Sequence, residues 1–451
     1  MKKALSNKGG ITLIFIIGVM TALIAVSAGK SIYSLYQSRE RTPEKPEPTL
    51  VKIDDGSAVA VQPVTDNRDR TKWRDTNKSI LPSTQNLLNR IFSQGRCEGS
   101  GTKSFTVSPM RPEDIAIMIP LGQMVKGHVT PIDHQYLYPV GWKSGGREVP
   151  IVAPAAGTIV MVNRFPLQQI EGHLAARDGY DIVIEYSCDF YSKLGLLTGL
   201  TDDIAKKVGY IERGRQKYVR IPVQAGEQVA RIGGQSLDLF TYDTHTPKKQ
   251  WVVPTHYNDG EGEKKYITDA LLYFSKSVAE QLMAKNPRIV EPRGGRFDYD
   301  IDGRLVGTWF IKGSGGYFPG PNVQNYWKSH LAFAYNELDP SSVEVSIGSW
   351  NGDDTGHQFA VLGNGPDPKE VSVGSGTIKY ELVFPMFTAA GGEPWEHIFY
   401  AGPVKRAASS NSSGVLLVQM VSDRQVQIET FPGKTQREVT NFTPAARLYE
   451  R

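Results

Sequence analysis

Short β-prone runs separated by glycine or proline recur through most of this chain, and they limit its fold more than any other feature. Runs of this length predict antiparallel sheets, because glycine-containing turns can join neighbouring strands directly. The candidates in the first half are residues 151–153, 158–163, 181–186, 218–221, 228–232 and 236–241. The candidates in the second half are residues 331–335, 343–347, 378–384, 415–420 and 426–430. The sequence therefore predicts a mainly β protein.

The length of the chain, 451 residues, exceeds what one ordinary hydrophobic core supports, so we expect more than one domain. Prolines and glycines cluster in residues 287–295, where we place the main boundary. We expect a first β domain with flanking helices over residues 76–287. An antiparallel β-barrel or sandwich is expected over residues 288–451, and we recognise no function in its sequence.

Three segments of the predicted domains have helical signals. An amphipathic pattern over residues 83–94 places Leu87, Leu88, Ile91 and Phe92 on one face. A short helix is expected at residues 204–208, with Thr201 as its N-cap. The longest predicted helix covers residues 266–286 and stops at Pro287.

An uncharged run of roughly 18 residues, Ile11–Ala28, lies near the N-terminus and would form a helix about 27 Å long. Lysines precede it, which favours a cytoplasmic N-terminus. We expect residues 1–30 to be a single-pass transmembrane signal anchor, residues 31–75 a polar linker, and the bulk of the chain to be extracytoplasmic. Two alternatives stay open: cleavage as a signal peptide after Ala28, and processing after Gly10 as in type IV pilin precursors.

Charge and cysteine content narrow the functional classes. The net charge is only +4 and no basic tract is present, so nucleic acid is not an expected partner. The two cysteines are too few for a thiolate zinc site but sufficient for one disulfide. We expect Cys97 and Cys188 to form it in an oxidising compartment, with two free thiols as the alternative.

His128 and Asp133 lie close together ahead of an apolar hairpin, and both residue types ligate zinc. A hydrolytic zinc site needs about three histidine or carboxylate ligands and one open position for water. The two residues are therefore candidate metal ligands. Hydrogen bonding of His128 or His134 to the surrounding proline-containing loop is the alternative explanation.

Over roughly residues 119–243 the chain resembles the lysostaphin-type, or LytM-type, peptidoglycan metallopeptidases. The matching features are His128 followed by Asp133, the Ala-Pro-Ala-Ala-Gly hairpin within residues 152–160, the strand 181–186 and the glycine turn within residues 223–233. The resemblance implies a duplicated hybrid motif, a small β-sandwich related to the barrel-sandwich hybrid of biotinyl and lipoyl carriers. It also implies a zinc-dependent peptidase ancestry.

The same comparison implies a degenerate active site. One residue more than in the family separates His128 from Asp133, and the late His-x-His of the family falls on Ser236-Leu237-Asp238. A further catalytic histidine is replaced by the segment 191–194. Asp238 could complete a metal set with His128 and Asp133, because side chains two apart share a strand face. Ser236 cannot replace an imidazole base, so we assign no catalytic residue.

Two functions follow as expectations. The first is a membrane-anchored envelope pseudoenzyme that needs no cofactor and acts in binding or scaffolding, with cell-wall polymer or another envelope protein as partner. The alternative is an active zinc-dependent peptidoglycan endopeptidase that uses His128, Asp133 and either Asp238 or His134. A pilus- or surface-layer-associated subunit is a third possibility, suggested only by the pilin-like start.

Overall fold

The computed structural model of the chain is mainly β, with antiparallel sheets. It describes residues 49–52, 58–61, 87–97, 101–144, 148–167, 178–247, 249–318, 326–353, 355–395, 400, 402–407, 409 and 411–451. The predicted anchor and both predicted processing sites lie outside these residues, as does most of the predicted linker. No helix within the described residues is long and apolar enough to cross a membrane.

Two compact units divide the chain, Met1–Arg68 and Asp69–Arg451. In the first unit, strands β1 (Thr49–Lys52) and β2 (Ala58–Val61) form an antiparallel hairpin. The second unit contains both a pair of stacked sheets, here called the sheet module, and a closed barrel.

The sheet module contains a seven-stranded antiparallel sheet and a three-stranded one. The large sheet has the order β10-β6-β7-β8-β12-β4-β3, and the small sheet has the order β5-β11-β9. The strands are β3 (Ile115–Ile119), β4 (Gln135–Pro139), β5 (Val149–Val152), β6 (Gly157–Pro166), β7 (Asp178–Ser187), β8 (Phe190–Leu197), β9 (Gly199–Leu200), β10 (Arg215–Val223), β11 (Gln228–Ile232) and β12 (Leu237–Asp243). The strands predicted in this region are confirmed, while β3, β4, β8 and β9 were not predicted.

Both faces of the large sheet are covered, as the alternation along β7 shows. Ile182 and Ile184 join a core that includes residues of the small sheet. Val183 points to the opposite face and joins a second cluster. That second cluster includes Phe92 of helix α1 (Leu87–Ser93) and several aromatic side chains from later in the chain. The predicted first helix therefore packs on the sheet, as its apolar pattern indicates.

The second half of the chain was predicted to form a barrel or a sandwich, and it forms a closed barrel of eight antiparallel strands. Alternate side chains such as Leu331 and Phe333 fill its interior, while Ala332 and Ala334 face outward to another cluster. The strands in order are β13 (Gly307–Ile311), β14 (His330–Tyr335), β15 (Val343–Ile347), β16 (His357–Val361), β17 (Thr377–Val383), β20 (Ser412–Ser422), β21 (Gln425–Pro432) and β22 (Arg447–Glu450). The interior is a packed core.

A small hairpin of the barrel region covers the edge strand β3 of the sheet module. It consists of β18 (Phe387–Ala389) and β19 (Val404–Arg406). Its Phe387 and Val404 join one apolar cluster with Ile117 and Ile119 of β3. The joint between sheet module and barrel thus packs on the face of β3 that carries Ile117 and Ile119. Backbone bonds occupy part of its open edge: the Met118 amide donates to the Lys285 carbonyl, and the Tyr400 amide donates to the Ala116 carbonyl.

Two helix predictions have different outcomes. Helix α2 (Asp202–Val208) is confirmed, and the Thr201 hydroxyl accepts a hydrogen bond from the Ile204 amide at its start. Further along, a four-residue helix α3 (Asn258–Glu261) follows β12. The long helix predicted over residues 266–286 is wrong: the structure has a 3-10 turn at Ala270–Leu272 and then helix α4 (Lys276–Met283).

The break before α4 has a specific cause in the backbone around Phe105. The Phe105 amide donates to the Tyr273 carbonyl at 2.7 Å, and the Ser275 amide donates to the Phe105 carbonyl at 2.8 Å. These long-range bonds occupy groups that a continuous helix would pair internally. The periodicity of the sequence could not reveal them.

Candidate functional site

The loop between β3 and β4 carries the candidate ligands His128 and Asp133, and the neighbouring strand β12 carries Asp238. Strand pairing explains their proximity, since Asp238 lies opposite Tyr136 and β4 begins directly after His134. The loop is held across its base by mutual backbone bonds: the Gly122 amide donates to the Ile132 carbonyl at 2.8 Å, and the Ile132 amide donates to the Gln123 carbonyl at 2.9 Å.

Asp133 and His134 contact each other directly. Asp133 Oδ1 lies 3.1 Å from His134 Nδ1, and Asp133 Oδ2 lies 3.3 Å from the Nζ atom of Lys264. All three side chains are buried. Asp133 and His134 can contact each other because both precede β4, where neighbouring side chains would point to opposite faces of the sheet.

Asp238 approaches the same imidazole from the other side. Its Oδ2 atom lies 3.4 Å from His134 Nε2, an ion-pair distance without hydrogen-bond geometry. Phe240 and Tyr136 pack around the ring, with centroids 4.2 Å and 4.8 Å from that of His134. His134 is therefore enclosed by two carboxylates and two aromatic rings.

His128 stands apart from this group. Its side chain is exposed, and its ring centroid is 6.3 Å from that of His134. Its backbone closes a tight loop with Val125, each amide donating to the carbonyl of the other.

The two carboxylates have opposite electrostatic environments. Burial disfavours ionisation of Asp133, but the Lys264 charge and the His134 hydrogen bond outweigh burial and lower the pKa of Asp133. Burial dominates at Asp238 and, with the nearby Asp181 charge, raises its pKa to about 6. Asp133 is therefore the permanent anion of the site, and Asp238 is the carboxyl group that can gain a proton near neutral pH.

The arrangement does not fit the predicted zinc ion. Asp133 and Asp238 flank opposite nitrogens of one imidazole, so the ring lies between the two carboxylates. Within the described part of the chain, no group of three histidine, cysteine or acidic side chains is placed to hold a metal. The set of His128, Asp133 and Asp238 stays a prediction that this geometry does not support.

Lys264 is the site residue that sequence reasoning missed. It belongs to a 3-10 segment, Gly262–Tyr266, that follows α3. Besides contacting Asp133, its Nζ atom lies 4.2 Å from the centroid of the Tyr317 ring. A lysine next to other charged residues in a polar loop gives no sequence signal for burial, so only the fold identifies it.

A disulfide between Cys97 and Cys188, with 5.3 Å between the Cα atoms, lies at one end of the sheet module. It connects the segment after α1 to the turn between β7 and β8. Close by, Ser93 of α1 contacts the buried carboxylate of Glu185, which Arg220 also approaches at 3.4 Å. These contacts fix α1 on the large sheet.

In comparisons with known proteins, no protein-family model matches the chain, and no curated protein matches it.

Proposed function

We propose that this chain is a membrane-anchored, extracytoplasmic envelope protein whose sheet module is a catalytically degenerate relative of the lysostaphin-type metallopeptidases. Its role is binding or scaffolding. One observation carries the proposal: Asp133 and Asp238 both face the buried imidazole of His134, in a region where the resembling enzymes need metal ligands.

The contacts of Asp133 support a noncatalytic role. A hydrolytic zinc site needs ligand oxygens that converge on the metal and an open coordination position for water. Here one Asp133 oxygen faces His134 and the other faces the Lys264 ammonium. All three side chains are buried, and both Asp133 oxygens already have a partner.

Two independent features support a membrane-anchored, extracytoplasmic location. The uncharged run Ile11–Ala28 is long enough to span a membrane as a helix. A disulfide between Cys97 and Cys188 persists in an oxidising compartment and not in the cytosol. Both features agree with a chain that is held at a membrane and functions outside the cytoplasm.

Cell-wall polymer is the partner that we test first, because the resembling enzymes act on peptidoglycan. The full-length chain, purified in detergent, is incubated with peptidoglycan sacculi, and its metal content is measured in parallel. We expect cosedimentation with the sacculi, substoichiometric zinc and no release of soluble peptides. Stoichiometric zinc together with peptide release that Asp133→Asn abolishes would establish the active endopeptidase instead.

The same assay separates the two proposed partners. If the chain does not cosediment with sacculi, cell-wall polymer is not the partner, and in vivo crosslinking tests for another envelope protein. A matched control is Asp203→Asn, which removes one exposed carboxylate from α2 and leaves the site intact.

A further inference from the structure

Two buried carboxylates share one amide group at the joint between sheet module and barrel. Asn336 Nδ2 donates to Glu337 Oε2 at 2.9 Å and to Glu344 Oε1 at 3.0 Å. The exposed fractions of Asn336, Glu337 and Glu344 are 2%, 2% and 4%. Two carboxylates this close to one nitrogen, both away from water, repel each other strongly if both are ionised.

The nearby cations do not neutralise this pair directly. Arg288 donates to the backbone carbonyls of Val290, Pro292 and Glu337, and Arg406 donates to that of Val361. Within the described part of the chain, no ion pair joins Glu337 or Glu344 to a lysine or arginine. The state of lowest free energy therefore has at least one proton on the two carboxyl groups.

Several segments around the pair contribute polar or titratable neighbours. Gln123 hydrogen-bonds to Glu337, and the charge of Arg288 acts on the same carboxyl group. The remaining neighbours that interact electrostatically with the pair or with its arginines are Tyr136, Tyr138, Tyr299, Glu291, Arg293, Asp339 and Arg406. Burial, followed for Glu344 by the charge of Glu337, raises the pKa of Glu337 to about 7 and that of Glu344 to about 8.

The position of the pair gives its ionisation a mechanical consequence. Asn336 and Glu337 begin the turn between β14 and β15, and the Asn336 amide oxygen accepts from the backbone amides of Leu338 and Asp339 at 2.9 Å and 2.8 Å. Leu338 packs with Ile117, Ile119 and other residues of the joint. Asn336 thus connects the carboxyl pair to the residue that the barrel inserts against β3.

We propose that Glu337, Asn336 and Glu344 form a proton-dependent latch that holds the turn 336–342 of the barrel against the sheet module. With a proton on the pair, Asn336 bridges the two carboxyl groups and the joint is closed. Loss of the proton above neutral pH leaves two buried anions, and the turn moves away from β3. The inference does not depend on the proposed function, because it uses neither the metal set nor the partner.

The latch is tested by hydrogen exchange on the full-length chain at about pH 5.5 and about pH 8.5, corrected for intrinsic exchange rates. In the wild type, we expect the opening equilibrium of residues 336–342 to increase by about tenfold or more between these values. Glu344→Gln keeps an amide in place of the protonated acid and should abolish most of this increase. Glu280→Gln, an exposed change on α4, should leave it intact.

If the opening equilibrium of residues 336–342 increases equally with pH in the wild type and in Glu344→Gln, the proposal is overturned. If Glu344→Gln fails to fold, infrared difference spectra between the wild type and Glu337→Gln decide. A carbonyl band from a protonated buried carboxyl group, present in the wild type and lost in Glu337→Gln, should persist at neutral pH and disappear in the alkaline range. Absence of that band at neutral pH would also overturn the latch.

Discussion

Lys264 directs its ammonium group at Asp133, with 3.3 Å between Nζ and Oδ2, although the two residues are only 4% and 7% exposed. The same ammonium lies over the ring of Tyr317, which belongs to the barrel part of the chain. Burial disfavours the charged lysine, yet Asp133 and the surrounding anions outweigh burial and raise the pKa of Lys264. One internal cation therefore connects the candidate site to the barrel.

Removing this cation should strongly destabilise the protein. Lys264→Met leaves the Asp133 carboxylate buried beside His134 without its charged partner, and breaking a buried pair in this way typically costs about 3–5 kcal/mol. The free energy of unfolding from denaturant titration measures the effect. The exposed control Lys276→Met should change it by less than about 0.5 kcal/mol.

A double variant distinguishes charge from packing in this prediction. Asp133→Asn in the Lys264→Met background removes the unpaired carboxylate and should recover part of the lost stability. If Lys264→Met unfolds no more easily than Lys276→Met, the ion pair makes no net contribution and the prediction is wrong.

His330 makes stability sensitive to acid. The ring is buried and its Nε2 atom lies 2.9 Å from the Tyr317 carbonyl oxygen, while burial lowers its pKa to about 3. In the unfolded chain, the His330 imidazole gains a proton near the ordinary histidine pKa. The free energy of unfolding is therefore unaffected by this protonation above about pH 6.5, and it decreases as the pH falls toward 3. At about pH 5 the expected loss is about 2 kcal/mol.

The matched variants for this acid sensitivity are His330→Gln and His245→Gln. Glutamine at position 330 can still donate to the Tyr317 carbonyl but cannot gain a proton, so the pH dependence of the unfolding free energy should become flatter. His245 is exposed beside Asp189 and Asp243, so His245→Gln controls for the loss of a histidine outside the core. A slope that His330→Gln leaves unchanged would contradict the assignment.

The sequence predicted elements well where a local pattern determines them. Thr201 with two following aspartates specifies α2, and a short β-branched apolar run specifies β7. Strand β4 was missed because the run Gln135–Pro139 is short, ends in a proline and does not alternate between apolar and polar residues. Its identity depends on pairing with β3 and β12, which are distant in sequence.

Only part of the candidate site could be predicted from the sequence: Lys264 and the contacts between the side chains could not. His128, Asp133 and Asp238 do lie in one region, since β4 and β12 are neighbours. Their arrangement depends on His134, which lies between the two carboxylates, and on Lys264, which a separate segment supplies. A pattern of ligand types cannot specify which charged partner occupies each oxygen, because that depends on tertiary packing.

The disulfide should contribute substantially to stability. Cys97 and Cys188 are separated by 91 positions in the sequence, and closing a loop of this length in the unfolded chain corresponds to about 2–5 kcal/mol. Reductant should therefore lower the melting temperature of the wild type. The double variant Cys97→Ala/Cys188→Ala should melt at the lower temperature with or without reductant. A wild-type melting temperature that reductant does not change would contradict this contribution.

Gly122 should be the most sensitive glycine of the site loop. Its φ of +103° is unfavourable for other residues, and an added Cβ atom would overlap the carbonyl oxygen of Arg296. Gly313→Ala is the matched control, because its φ is +78° and open space surrounds it. We expect about 1 kcal/mol of destabilisation for Gly313→Ala and about 3 kcal/mol for Gly122→Ala. The Gly122 amide donates to the Ile132 carbonyl beside Asp133, so Gly122→Ala should also increase hydrogen exchange in residues 130–136. If Gly122→Ala and Gly313→Ala lower the free energy of unfolding equally, the steric explanation is excluded.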